Sequence, residues 1–232
     1  MLWIVGIAVV VVLIWAMANW IYHAVRKPTE LLGPVSGAFT KTPAETWQAY
    51  GAHFRQHATA AISPELLAAL AQIEASGNPV AQTYWRWQPS LNPFHIYRPA
   101  SSAMGMYQII DGTYAQHKPA CRPDSEAPSE QSCWFDSLYT RVVPSEAIAL
   151  AAKMLDGGVT RTLRRHHVGA TAAQKQDLAI VIHLCGAGAG ETFARRRFRA
   201  GGGQHCGDHD VRAYLDRVNA MKRVFARLAK AG

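Results

Sequence analysis

A carboxylate stands in the last turn of an apolar helix. In "LLAALAQIEASGNP", residues 66–79, Glu74 follows Leu70 by four positions and Leu67 by seven. At helical spacing these three side chains project from nearly one face. A wall of leucine desolvates the carboxyl and disfavours its ionised form, which raises the pKa toward the range where it holds a proton near neutral pH and donates it. General acid catalysis is the chemistry this predicts. The plainer alternative is a glutamate at a fraying helix end that reaches solvent or caps a neighbour.

The helix that carries Glu74 is well delimited. Ser63 and Pro64 supply an N-cap and a first-turn proline, and Gly77 and Pro79 stop the helix after Ala75. Before it, Thr42, Pro43 and Glu45 predict another helix through about His57, with Trp47, Tyr50 and Phe54 on one face. Later helices are predicted over 103–116, 144–156, 159–167, 172–185 and 208–229. Residues 117–132 read as a long loop, and no alternating strand of useful length stands out. The fold class is mainly α.

At the front, "LWIVGIAVVVVLIWAMANWIYHAV" runs from Leu2 to Val25 without Asp, Glu, Lys or Arg. A helix of that length crosses a hydrocarbon core of about 30 Å, and Trp3, Trp15, Trp20 and Tyr22 include residues suited to interfacial anchoring. An uncleaved single-pass anchor over 1–25 is expected, ahead of a buried core helix or of a signal peptide cut near "AMA" at 16–18. Residues 26–58 then form a juxtamembrane linker and a short helix, and 59–230 the main domain. Arg26 and Lys27 follow the span and nothing basic precedes it. The positive-inside tendency alone therefore leaves the body of the protein in the cytoplasm.

The chain is 49% hydrophobic and 17% charged over 232 residues, which excludes a disordered polymer. Its net charge of +8 suits an anionic partner. The basic density lies mostly in "TRTLRRHH" and "ARRRFRA", which read equally as solvated helix faces. They lack an accompanying aromatic stacking pattern, so specific nucleic-acid recognition is not expected. Cys121, Cys133, Cys185 and Cys206 fall in or beside Pro-, Ser- or Gly-rich stretches and suit disulfides in an oxidising compartment. Three pairings are open; joining near neighbours, 121 with 133 and 185 with 206, closes two modest loops. A zinc site from Cys185, Cys206, His205 and His209 is the rival reading.

Three ordered segments carry a family resemblance: "IEASGNP" at 73–79, "SSAMGMYQI" at 101–109 and "CGAGAG" at 185–190. Together they resemble the motifs of the soluble lytic transglycosylase (SLT) domain, whose fold is lysozyme-like, of the goose-type lysozyme class. The resemblance spans about residues 60–228. It implies that Glu74 is the catalytic glutamate and that Gly105 and Gln108 match the second motif, with Gln108 bonding sugar. Ser76, Ser102, Tyr107 and Gly188 join them as expected substrate-binding residues. Met106 and Tyr107 stand where Leu and Met are usual, and Ala75 replaces a serine whose hydrogen bond Ser76 is the candidate to supply. Cys185 and Gly186 replace the usual Tyr and Asn. That tyrosine helps hold the catalytic carboxyl, and Tyr84, Tyr107 and Tyr214 are the candidates to take its part.

The resemblance further implies cleavage of the MurNAc–GlcNAc bond of peptidoglycan with a 1,6-anhydro product, Glu74 acting as acid and then base, without cofactor or metal. It places the domain in the periplasm on an inner-membrane anchor, in the service of an envelope-spanning secretion or conjugation assembly. The alternatives are a hydrolytic muramidase and a non-catalytic peptidoglycan-binding scaffold. Hydrolysis calls for a second carboxylate across the bond, for which Asp111 and Asp136 are the only candidates; Asp111 reads better as a helix-terminal residue. The aromatic segment "TYWRWQPSLNPFHIYRP" offers flat surfaces for saccharide, with Tyr84 and Tyr97 expected to touch sugar ahead of Trp87.

Overall fold

The computed structural model describes residues 2–118 and 130–231, with side chains of 130–134 excepted. Cys121 and the side chain of Cys133 thus lie outside the described residues. The architecture is mainly α, as the sequence predicts. Eight α-helices are described: α1 (Leu2–Arg26), α2 (Pro43–His57), α3 (Pro64–Ala75), α4 (Asp111–His117), α5 (Glu130–Val142), α6 (Pro144–His166), α7 (Ala172–Arg195) and α8 (Val211–Ala231). Two small antiparallel ribbons complete it, β1 (Trp85–Trp87) with β2 (Tyr97–Pro99) and β3 (His205–Cys206) with β4 (His209–Asp210).

Helix α3 is the centre. Leu66 through Ala71 are six consecutive buried residues, so the helix is enclosed on every side. It packs against α8 and α2. Ser63 Oγ accepts the Leu66 N–H at 3.3 Å, and at the other end Ser76 and Gly77 turn left-handed, with φ of 51° and 64°. Helix α2 opens on a capping box, in which Thr42 and Glu45 exchange side-chain and backbone hydrogen bonds. Along α8 the buried residues Val211, Tyr214, Val218 and Phe225 keep helical spacing, so one stripe of this otherwise basic helix covers α3.

Several elements depart from expectation. Residues 103–110 form no helix: Met104 and Ile109 bridge each other across a tight turn, and helix begins only at Asp111. Gly105 and Gln108 both adopt left-handed φ, 73° and 48°, which a helix does not accept. The two helices predicted over 144–167 are one, because Gly158 serves packing rather than a stop; a Cβ there would meet Ile182 Cγ2 of α7 at 3.2 Å. Helix α7 continues past 185 but is interrupted at Gly186, whose φ of 79° divides it into two helical segments. Helix α5 was not anticipated.

Residues 28–39, expected as a linker, form an ordered 3-10 segment. Its Glu30 is buried between Lys27 Nζ at 3.1 Å and the Trp85 indole N–H at 2.8 Å. Helix α1 is long and apolar enough to cross a membrane, a property shared by anchors and signal sequences.

Candidate active site

Glu74 sits in the last turn of α3, its side chain 21% exposed. Two helices distant in sequence supply its partners. Tyr214, in the first turn of α8, donates its hydroxyl to Glu74 Oε1. His183 of α7 places Nε2 3.5 Å from the same oxygen. Among the described residues no hydrogen bond engages Oε2. Cys185, two residues beyond His183, is disulfide-bonded to Cys206 of β3, with Cα atoms 5.4 Å apart. The β3–β4 ribbon runs directly into α8, so one covalent link ties together the two segments that present His183 and Tyr214.

The electrostatics reverse the expectation for Glu74. Desolvation is the largest single influence and pushes its pKa up. The hydrogen bond from His183, the positive charge of that imidazole when protonated, the Tyr214 hydroxyl and the charge of His209 outweigh it together, holding the carboxyl below its ordinary value. Burial raises the Tyr214 phenol far above its usual range, with the Glu74 charge and hydrogen bond adding to it, so Tyr214 remains a donor.

Glu74 opens onto a cleft of about 510 Å³ between the second-motif turn, α4, α6 and α7. Gln108, Thr113, His117, Arg161 and His183 supply polar groups, and Ile110, Met154 and Leu184 apolar ones. Glu74 is the sole carboxylate among the described lining residues. Asp111 lies at the start of α4, paired with Arg141 Nη1 at 2.7 Å, and Asp136 bonds Tyr114 and faces Lys118; neither lines the cleft.

Of the expected substrate-binding residues, Gln108 is brought to the cleft beside Glu74, its Nε2 donating to the Gly105 carbonyl at 2.9 Å. Gly105 supports the turn from below: its φ is 73°, and a Cβ there would lie 1.9 Å from the Arg141 carbonyl oxygen. Ser102 Oγ accepts the Asp111 N–H at 3.1 Å, and Ser76 is the left-handed end of α3. Tyr107 does not line the cleft. It is 1% exposed and donates its hydroxyl to the Leu67 carbonyl, a core position forced by the inward side of the turn. Gly188 is exposed beyond the α7 break, with its carbonyl accepting from Thr192. Tyr84 is exposed, whereas the Tyr97 ring packs at a tilt against Trp85 and Trp87.

Two important residues escaped the sequence. His183 has a signal only in hindsight, as the titratable residue just ahead of "CGAGAG". Arg141 has none: it is buried and donates to the Ile109 and Ser102 carbonyls, holding the second-motif turn. The zinc reading is corrected, because Cys185 and Cys206 are oxidised together and offer no thiolate. Among the described residues no other cluster suited to a metal occurs.

A family model described as transglycosylase SLT domain matches residues 52–175, more than half of the chain. The matched region contains Glu74 and the second-motif turn and stops short of His183, Cys185 and Tyr214. Neither the curated proteins nor the solved structures compared with it gave a match.

Proposed function

The chain belongs to the transglycosylase SLT domain family, and from that premise we propose that it is a membrane-anchored lytic transglycosylase that cuts the MurNAc–GlcNAc bond and releases a 1,6-anhydro end. The family supports action on peptidoglycan. The single observation that carries the finer reading is the cleft in which Glu74 is the one carboxylate among the described lining residues, its Oε1 held by Tyr214 and His183 and its Oε2 left to substrate.

In this mechanism sugar fills the cleft and removes water from Glu74, strengthening the desolvation that already pushes its pKa upward. Protonated Glu74 donates to the glycosidic oxygen, the C1–O bond breaks, and positive charge develops at the anomeric carbon. The carboxylate left behind is the form that Tyr214 and His183 stabilise. It accepts the proton of the C6 hydroxyl as O6 bonds to C1. Water is not consumed, and one carboxyl serves both steps. A hydrolytic route would instead require a second carboxylate or an activated water across the bond. The α1 helix would tether the domain to the inner membrane with its cleft in the periplasm, where disulfides persist and where an envelope-spanning assembly needs a local opening in the wall.

Digestion of purified sacculi with the wild type and Glu74→Gln tests the reading. Release of products lighter by one water than their hydrolytic counterparts, lost in the variant, is expected. Hydrolytic masses, or equal release by both proteins, would overturn it. A reporter fused to the C-terminus reads the compartment, and a cytoplasmic signal would overturn the topology.

A further inference from the structure

The aromatic segment 84–99 has an occupied side, and its occupant is α1. Trp15 donates its indole N–H to the Pro93 carbonyl at 3.2 Å, Asn19 donates to the Tyr97 carbonyl at 2.7 Å, and His23 Nε2 lies 2.9 Å from the Phe94 carbonyl. These residues are spaced by four, so they form one polar stripe on an otherwise apolar helix. The rings follow the same line. Trp15 stacks with Trp87 at 6.2 Å, Tyr22 with Phe94 at 4.6 Å, and His23 meets Trp85 edge-on at 5.2 Å.

Depth follows from arithmetic on the helix. A hydrocarbon core of about 30 Å takes about 20 helical residues, and every such window inside Leu2–Arg26 contains both Trp15 and Asn19. In the shallowest window, ending at Ile21, Trp15 lies six residues inside the boundary, roughly 9 Å at 1.5 Å per residue. Whatever bonds to Trp15 shares that depth. An amide within a span needs partners; Asn19 Nδ2 has one in the Tyr97 carbonyl, and its Oδ1 is buried without one.

The segment is built for such a place. Its outward residues Trp87 and Leu91 are 69% and 106% exposed. Its polar groups are largely bonded internally: Asn92 Oδ1 accepts the Phe94 N–H, Ser90 Oγ the Asn92 N–H, Gln88 Oε1 the Arg98 guanidinium, and the Ile96 carbonyl the Gln88 N–H. Lys27, Glu30 and Trp85 then fasten the exit of α1 to the base of the ribbon.

We infer that the tip of the β1–β2 ribbon, residues 87–94, inserts into the phospholipid bilayer alongside α1, so that the domain is seated on the lipid surface. The inference rests on the reading of α1 as a membrane anchor. Its consequence is that the Glu74 cleft stands at a fixed height and tilt above the membrane.

Full-length protein in phosphatidylcholine–phosphatidylglycerol vesicles carrying a diazirine on the acyl chain, irradiated and mapped by mass spectrometry, reads this directly. Adducts are expected both in α1 and on residues 87–94. Leu91→Asp, at a fully exposed position, should lower the ribbon adducts on the order of tenfold while leaving those in α1 unchanged. Adducts in α1 with none on 87–94 would overturn the seating and leave the anchor standing. Adducts in neither would overturn both.

Discussion

The hydroxyl of Tyr214 reaches Oε1 of Glu74 across 140 positions of sequence. It comes from the first turn of α8, whereas the "CGAGAG" segment lies on α7 and carries the disulfide-bonded Cys185. A phenol supplied by another helix thus does the holding, and His183 shares the same oxygen.

Removing His183 should move the pH profile. In the proposed mechanism Glu74 donates a proton, so activity falls as pH rises through its pKa. His183 contributes to holding that pKa down. In His183→Gln the carboxyl keeps its proton to higher pH, and the basic limb of kcat/KM on sacculi should shift upward. An unmoved or lowered limb would contradict the account.

Tyr214→Phe removes one hydrogen bond to a carboxylate and leaves the buried ring in place. A bond to a charged group contributes about 1.5–3 kcal/mol, so kcat/KM should fall roughly tenfold to hundredfold, at about 1.4 kcal/mol per tenfold. The same loss lowers the urea midpoint, so activity is compared under conditions where circular dichroism shows the variant folded. A loss of activity matched by unfolding would point to packing instead.

The Cys185–Cys206 bridge spans a sequence separation of 21 residues. Closing a loop of that size stabilises a fold by about 3 kcal/mol. The Cys185→Ser, Cys206→Ser double variant should lose about that much in urea denaturation and should lose activity at temperatures where it remains folded, since Tyr214 is no longer tied to α7. Full activity in the folded double variant would show that the bridge serves stability alone.

Gly105→Ala should be costly. The left-handed dihedral alone costs about 1–3 kcal/mol, and the Cβ would lie 1.9 Å from the Arg141 carbonyl oxygen. Gly112→Ala is the control, with nothing within 4 Å of its Cβ, and should stay within about 0.5 kcal/mol of wild type. Differential scanning calorimetry separates the two.

Glu74 and its helix were legible because the signals are local: Ser63, Pro64 and Gly77 delimit α3, and the leucines mark it as buried. The second-motif turn differs from the expected helix because Gly105 and Gln108 take left-handed φ, and at Gln108 that conformation has no sequence mark. The sign of the Glu74 pKa shift was hidden for a different reason. Leucine neighbours reveal desolvation, but the opposing groups come from α7 and α8, and only tertiary structure brings His183 and Tyr214 to one oxygen. The aromatic ribbon was legible as a surface for something flat, while its actual neighbour, α1, lay some seventy residues upstream.

The bridge between α7 and β3 also sets an order of events. A newly made chain has Glu74 on a helix whose ends are defined by local signals, but Tyr214 is covalently fixed relative to His183 only after two thiols have been oxidised. Before that step the chain has the acid without its fixed clamp. Maturation of the cleft is then coupled to thiol oxidation, so the chain would be least competent in a reducing compartment.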